Sequence, residues 1–186
     1  MALRYAAQMN CRLLLSPRYS EAGVSQRGRE WQIVLAQSLL DLNLGDWREA
    51  GREVLKLVNA ARAKERKCGN VRYKPASPLR WNGKLGQAAL THSRDMAQNS
   101  YFSHKGSNGS MVGIRAKAEG YAWRSIGENV AAGQGSPQQV VEGWLASSGH
   151  CANIMNGIFT ETGAAYATNL ESDMAIYWTQ VFGAPR

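Results

Sequence analysis

Apolar residues recur every three or four positions in two long segments of the chain, as they do on the buried face of a helix. The first segment begins after Asp46, a residue type that caps helix N-termini well. It is predicted to run to about Ala63, with residues 64–67 as a basic helix end that the helix dipole favours. The second segment begins after Asn82, and its apolar face includes His92.

Two shorter helices are predicted from the residues at their boundaries. Ser110 opens one that ends at Gly120, a residue suited to a left-handed C-terminal cap. Ser136 and Pro137 form an N-cap followed by proline at the first helical position, and they predict a helix over residues 138–146. Residues 69–81 contain two prolines and are predicted to form a loop.

Alternating apolar and polar positions predict strands in the second half of the chain. Residues 121–132 contain one strand, in which Glu128 shares a face with two apolar neighbours. Residues 161–168 and 174–183 form two more, which the turn at 169–173 joins into a β-hairpin. The order of helices and strands indicates an α+β fold, with one mostly antiparallel sheet and helices packed on it.

The first 45 residues do not share these patterns. Residues 1–28 are predicted to be a disordered basic tail, and residues 29–45 an N-terminal extension, ahead of a domain over residues 46–186. Within the extension, the apolar run over residues 31–40 fits either a strand or a short buried segment. There is no clear signal peptide, because the start lacks an apolar stretch of about 7–15 residues and a small-residue cleavage site.

Composition and charge narrow the classes of partner. Hydrophobic residues make up 44% and charged residues 19% of the chain, which predicts a packed core. No run approaches about 18 consecutive apolar residues, so no membrane span is predicted. A net charge of +8 favours an anionic partner such as nucleic acid, an anionic lipid or an acidic cell-wall polymer. Nucleic acid is not expected, because the basic residues are scattered and no interleaved aromatic pattern accompanies them.

Three histidines and one carboxylate carry the candidate chemistry. His92 lies on an apolar helix face, where the ordinary interpretation is a core histidine bonded to the backbone. His104 and His150 follow helices in less regular segments, where binding and catalytic residues concentrate. Glu128 has apolar neighbours, so its carboxylate must be paired as a general base, a metal ligand or a structural partner. No metalloprotease, serine-hydrolase or Cys–His motif occurs.

Five motifs in register resemble the bacterial branch of the CAP superfamily (cysteine-rich secretory proteins, antigen 5, pathogenesis-related 1), also called SCP-like. They are HSRDMAxxxYFSH from His92 to His104, GYxWxxxGENVAxG from Gly120 to Gly133, PxxVVxxWxxSxGHxxNI from Pro137 to Ile154, FTExG from Phe159 to Gly163, and YWTQVFG from Tyr177 to Gly183. The resemblance covers roughly residues 46–186. It implies a three-layer α-β-α sandwich with a central, mostly antiparallel sheet, a secreted location and a central cleft.

The resemblance also implies which residues line that cleft. In eukaryotic members, two histidines and two glutamates can hold a divalent metal, and His104 and Glu128 match one of each. The other two positions carry Ser147 and Tyr177, which departs from the eukaryotic zinc site. The bacterial branch has another histidine, here His150, which is expected to face the same cleft. His104, Glu128 and His150 would form either a set of ligands for a divalent cation, with zinc as the candidate, or a hydrogen-bonded cluster without metal.

For function, the resemblance implies binding more than catalysis. Family members are linked to lipid or sterol binding and to cell-wall association. The prediction is therefore a monomeric, secreted or periplasmic module that binds a lipid, sterol or anionic cell-wall component. The alternatives are a metal-dependent hydrolase that uses His104, Glu128 and His150, and a purely structural extracellular domain. No robust protease or esterase activity is expected, because no nucleophile–base pair occurs.

The chain has three cysteines, of which Cys11 lies outside the matching segments. Cys68 and Cys151 resemble a pair that occurs in a bacterial subgroup of the family, so a disulfide between them is expected. Two free, half-buried thiols are the alternative. The bridge implies an oxidising compartment, either the periplasm or the cell exterior.

Overall fold

The computed structural model describes residues 11–17, 19–36 and 44–186. The chain divides into two compact units, Met1–Leu39 and Leu40–Arg186. In the first unit, strand β1 (Glu21–Arg27) pairs antiparallel with β2 (Glu30–Ala36) in a hairpin. Gly28 has a φ of +62° at the two-residue turn, which suits a glycine.

Residues 21–27 were predicted to belong to a disordered tail, but they form strand β1. The prediction did not use Gly28 as a turn signal. The strand interpretation of the apolar run agrees with β2, whose side chains are exposed or half-buried. Residues 1–10, 18 and 37–43, which belong to the predicted tail and to the middle of the extension, lie outside the described residues. Cys11 is a free, exposed cysteine.

The second unit contains five helices and six strands among its described residues. The helices are α1 (Trp47–Arg62), α2 (Gly83–Gln98), α3 (Val112–Ala118), α4 (Pro137–Ala146) and α5 (Ser148–Met155). The strands are β3 (Arg66–Cys68), β4 (Val71–Tyr73), β5 (Arg80–Trp81), β6 (Trp123–Ala132), β7 (Glu161–Asn169) and β8 (Ala175–Pro185).

The predicted N-caps of the two long helices are confirmed. The Asp46 side chain accepts a hydrogen bond from the backbone N–H of Arg48, and the Asn82 side chain accepts from those of Lys84 and Leu85. Helix α1 ends at Arg62, close to the predicted end at about Ala63, but residues 64–67 do not form the predicted basic helix end. The basic segment after α1 leads into β3, which pairs antiparallel with β4 in a hairpin. Residues 71–73, which form β4, were predicted to belong to a loop.

A four-stranded sheet forms the middle layer, in the order β5-β7-β8-β6. β8 pairs antiparallel with both β6 and β7, and only the short β5 is parallel to its neighbour. The predicted mostly antiparallel sheet and its final hairpin are therefore confirmed. β6 is an outer strand, so side chains from both faces of the sheet can approach one another around it.

Helices cover both faces of this sheet. On one face, α1, α4 and α5 bury a core that includes Val54, Trp144, Trp178 and Phe182. On the other face, α2 and α3 pack against alternate residues of the same strands, including Val181. The result is the expected three-layer α-β-α sandwich. None of the helices in the described part of the chain combines the length and the hydropathy that a membrane span requires.

Two links hold the helices of the first face together. A disulfide joins Cys68 of β3 to Cys151 of α5, with 5.5 Å between their Cα atoms. Arg62, at the end of α1, is fully buried and donates hydrogen bonds to backbone carbonyls of the segments around α5. The disulfide is the one that the family resemblance implied.

Candidate functional site

A buried carboxylate on β6 is the centre of the candidate site. The Glu128 side chain is 3% exposed and points to the face that carries α2 and α3. Its Oε1 accepts from His104 Nδ1 at 2.8 Å, and its Oε2 accepts from Arg115 Nη2 at 2.6 Å. Both oxygens are thus hydrogen-bonded, which is the pairing that a carboxylate among apolar neighbours requires.

Arg115 of α3 is the residue of this site that the sequence did not reveal. Its side chain is 5% exposed. Besides Glu128, it donates through Nη1 to the Ser110 carbonyl at 2.6 Å and through Nη2 to the His104 carbonyl at 3.1 Å. One buried guanidinium therefore neutralises the carboxylate and also holds the backbone of its histidine partner.

His92 of α2 supports the loop between α2 and α3, which carries His104. It is fully buried, and its Nε2 donates to the carbonyl of Ser103 at 2.8 Å, directly before His104. The ordinary interpretation of His92 as a core histidine bonded to the backbone is confirmed. Burial lowers its pKa; the negative charge of Glu128 acts in the opposite direction, and the positive charge of Arg115 lowers the pKa further.

Asp95 of α2 fastens the rest of the loop. Its carboxylate accepts from Tyr101 Oη at 2.6 Å and from both the backbone N–H and the hydroxyl of Ser107, at 2.8 and 2.6 Å. Burial raises the pKa of Asp95, but these hydrogen bonds outweigh burial and leave the pKa lowered. Burial and the bond to Asp95 raise the pKa of Tyr101 to about 12. The loop that presents His104 is therefore held from both α2 and α3.

The contacts of His104 fix the chemical character of its exposed edge. A carboxylate only accepts hydrogen bonds, so Nδ1 carries the hydrogen and Nε2 of the neutral ring is an acceptor. The His104 side chain is 48% exposed, and Nε2 has no hydrogen-bond partner among the described residues. The site therefore presents a hydrogen-bond acceptor, backed by a buried carboxylate, to a molecule at the surface.

His150 approaches this site from the opposite face of the sheet. Asn129, whose side chain points to the α5 face, donates to the His150 carbonyl at 3.2 Å. Asn153 of α5 donates to the Glu128 carbonyl at 3.1 Å and to Asn129 Oδ1 at 2.9 Å. Burial lowers the pKa of His150, and its proximity to His104 lowers the pKa further. The two imidazoles are thus electrostatic neighbours around the outer strand.

The positions of His104, Glu128 and His150 do not fit the predicted set of metal ligands. Within residues 11–17, 19–36 and 44–186, no three His, Cys, Asp or Glu side chains lie within reach of one metal ion. His104, Glu128 and His150 therefore do not form a ligand set. A cation at Glu128 would also face the guanidinium of Arg115, which already pairs with that carboxylate. Zinc binding stays a prediction that this donor set does not favour.

The two remaining predicted cleft residues lie in different environments. Tyr177 is 2% exposed and packs with Met96, Ala97 and Val130. It is buried on the same sheet face as Glu128, and its role in the cleft stays a prediction. Ser147 is half-buried between α4 and α5 and makes no side-chain cap bond. Its role in a cleft stays a prediction.

Known proteins share both the sequence pattern and this fold. Residues 55–182 match the profile of the CAP family, described as the cysteine-rich secretory protein family. The uncharacterized protein YkwD of Bacillus subtilis (strain 168) is 32% identical over 131 residues, which are 70% of this chain and 46% of YkwD.

Solved structures give the same result. An extracellular protein containing a SCP domain from Bacillus anthracis str. Ames is 27% identical with a TM-score of 0.63, over 84% of this chain and 48% of that one. An outer surface protein from Borrelia burgdorferi shares the fold at 20% identity and a TM-score of 0.57, over 73% of this chain and 95% of that one. The chain spans less than half of the two Bacillus proteins. On the match of the family profile over most of its length, the chain belongs to the CAP family.

Proposed function

We propose that this domain is a secreted or periplasmic, monomeric module that binds a lipid, sterol or anionic cell-wall component of the cell envelope, without catalysis. The observation that carries this proposal is the pairing of Glu128. Both of its oxygens accept hydrogen bonds, one from His104 and one from Arg115, and no hydroxyl or thiol is bonded to His104 among the described contacts. The site therefore offers recognition groups but no activated nucleophile.

Two observations support the extracytoplasmic part of the proposal. The Cys68–Cys151 disulfide is typical of proteins in oxidising compartments. The Bacillus anthracis relative is described as an extracellular protein.

The net charge of +8 suits an anionic envelope surface, because long-range attraction raises the local concentration of negatively charged ligands.

The experiment compares binding with turnover. The oxidised protein is mixed with anionic lipid vesicles, sterol-containing vesicles and a soluble anionic cell-wall polymer, and co-sedimentation or calorimetry measures binding. General peptide and ester substrates are assayed in parallel. We expect binding to at least one probe and no turnover. Reproducible turnover that disappears in Glu128→Gln overturns the proposal, and so does the absence of binding to all three probes.

The alternative, a metal-dependent hydrolase, is favoured by one observation. The His104 ring is oriented by a buried carboxylate and presents Nε2 outward, and a neutral imidazole nitrogen oriented in this way can bind zinc or act as a general base. Calorimetric titration of the wild type and His104→Ala with zinc tests it, with Lys105→Ala as the control for a neighbouring exposed residue. Stoichiometric zinc binding that only His104→Ala abolishes, together with zinc-dependent turnover, would support the hydrolase.

A further inference from the structure

Strand β7 has a short stretch of edge that no other element covers. The neighbouring strand β5 pairs with β7 only at Glu161 and Thr162. Helix α1 then packs directly on the strand, because a Cβ on Gly51 would lie only 2.2 Å from the Ala164 carbonyl oxygen. Farther along, residues 166 and 167 are half-buried and residue 168 is exposed. The edge of β7 therefore opens over residues 166–168.

The backbone groups of Tyr166 and Thr168 face this open edge. The Thr162 carbonyl accepts from the backbone N–H that follows β5, at 2.9 Å, so it points away from β8. Backbone groups of every second residue point to the same side of a strand, which gives Tyr166 and Thr168 the same direction. Strand β8 agrees, because Ile176, the partner of Thr168, uses its carbonyl to accept from Gly133 on the β6 side. Two N–H and two C=O groups thus face an edge with which no strand of the described residues pairs.

The other outer strand of the sheet, β6, has its edge carbonyls occupied. Asn153 donates to the Glu128 carbonyl at 3.1 Å, and Trp144 Nε1 donates to the Val130 carbonyl at 3.2 Å. Unpaired edge groups are a template for a further strand, and proteins commonly cover them in such ways. The contrast identifies β7 as the outer strand to which another chain can add.

A groove between α1 and α2 runs beside the open edge. Its volume is about 360 Å³, and Trp47 of α1 and Leu90 of α2 supply apolar surface to it. Arg94 of α2 also lines the groove, is exposed and has no partner among the described ion pairs. None of the described lining residues is acidic, and the adjacent Asp95 is already bonded to the loop between α2 and α3. A carboxylate on a ligand would therefore complement Arg94.

We propose that the open stretch at residues 166–168, which we call the β7 edge, binds an extended peptide segment of another protein. The segment adds to the sheet as a strand and places an acidic side chain at Arg94. A peptide is favoured over a small anion, because N–H and C=O groups two residues apart match those of an extended chain. In this mode the backbone bonds supply affinity, and the groove and its charge supply specificity. The inference goes beyond the proposed function, since Glu128 lies on the opposite outer strand.

The test uses three series of acetylated and amidated hexapeptides. The first alternates threonine and valine and carries one glutamate, at each position in turn. The second has lysine in place of glutamate, and the third repeats the first with alternate backbone amides N-methylated, in both phases. Arg94→Glu reverses the charge at the groove, and Arg124→Glu is the matched control, because Arg124 is exposed on β6. NMR of the isotope-labelled, oxidised protein follows the amides of Tyr166 and Thr168 and their hydrogen exchange.

We expect at least one glutamate peptide to shift the Tyr166 and Thr168 amides and to slow their exchange. N-methylation in the phase that faces β7 should weaken binding by about tenfold or more, and the other phase should not. Arg94→Glu should weaken the glutamate peptide by about fivefold and bind the lysine peptide better than the wild type does. Arg124→Glu should bind like the wild type, and the NMR spectra verify that both variants are folded.

Several results would overturn the inference and leave the proposed function intact. The inference is wrong if no glutamate peptide shifts these amides, or if both phases of N-methylation have equal effects. It is also wrong if Arg94→Glu and Arg124→Glu bind the glutamate peptide alike. If the Tyr166 and Thr168 amides of the free protein gain protection as its concentration rises, a second copy of the chain occupies the edge instead.

Discussion

Arg62 is a buried cation with carbonyl partners and no acidic one among the described ion pairs. Its guanidinium donates from Nε to the Ser77 carbonyl at 2.8 Å and from Nη1 to those of Ile154 and Asn156, at 2.6 and 3.0 Å. Nη2 donates to the Phe159 carbonyl at 3.3 Å. Burial lowers the pKa of Arg62 from its usual value, which is the expected direction for a cation removed from water.

Arg62→Met tests whether these bonds stabilise the fold. The substitution keeps an apolar stem but leaves the Ile154 and Phe159 carbonyls buried without a donor, at roughly 1–3 kcal/mol each. Removing the guanidinium also removes its own desolvation cost, which offsets part of that loss. We expect the free energy of unfolding to fall by about 2–5 kcal/mol. Arg62→Lys keeps the charge but not the planar fork, so we expect about half of that loss.

Urea denaturation of the oxidised protein, followed by circular dichroism and analysed by linear extrapolation, measures these differences. Arg52→Met is the control, because Arg52 lies on the same helix and is exposed, with its guanidinium carbon 5.4 Å from the centroid of the Trp81 ring. We expect it to lower stability by less than about 1 kcal/mol. The reasoning is refuted if Arg62→Met is no more destabilising than Arg52→Met, with unchanged denaturant slopes.

Three other predictions concern the stability of the same unit. Replacing Cys68 and Cys151 with alanine is expected to lower the free energy of unfolding by up to about 4.5 kcal/mol, because their bridge spans 83 residues; urea midpoints that do not move would contradict this. Arg115→Met leaves the Glu128 carboxylate buried without its cation and is expected to cost about 3–5 kcal/mol in thermal or urea unfolding; Glu128→Gln in the same chain should recover part of that loss, and additive losses would contradict the pairing. Because burial lowers the pKa of His92, this residue takes up a proton at higher pH in the unfolded state than in the folded state. The free energy of unfolding therefore keeps the full contribution of neutral His92 above pH 6.5 and falls as the pH drops below that value. His92→Gln should flatten this decline in urea unfolding between pH 7 and pH 5, and an unchanged slope would show that another group causes it.

Local signals explain why much of the fold could be predicted. Asp46 and Asn82 act as N-caps through their own side chains, within three residues of the backbone groups that they bind. The β7–β8 hairpin follows from two alternating runs separated by a short turn, and both runs agree with the observed strands. Signals of this kind depend on neighbours in sequence, so periodicity and residue type are sufficient to find them.

Elements that depend on distant contacts were not predicted. The hairpin of β3 and β4 contains only three residues in each strand, and the disulfide from Cys68 ties it to α5. Helix α5 lacks a side-chain cap bond and is held by Asn153, whose partners are on β6. Segments this short gain most of their stability from tertiary packing, which a periodic pattern does not contain.

The candidate site, too, could be predicted only in part. The motif register brought out His104 and Glu128, and their side chains are hydrogen-bonded to each other. The same motifs placed Tyr177 in the cleft, but counting positions along β8 does not show how deeply a side chain is buried, and Tyr177 is 2% exposed. Arg115 carries no motif of its own and is one of 22 basic residues, so only its burial distinguishes it.

The presence of Arg115 changes the chemistry that follows from the motif. A glutamate beside a half-exposed histidine, taken alone, indicates a metal ligand or a general base. With a guanidinium 2.6 Å from Oε2, the negative charge of Glu128 is balanced inside the protein, and a divalent cation would have to compete with a partner that cannot diffuse away. The carboxylate keeps one oxygen for His104 Nδ1, which sets the tautomer of the ring. The site is therefore organised to hold an imidazole in one orientation with its acceptor nitrogen outward, an arrangement suited to recognising a hydrogen-bond donor on a ligand.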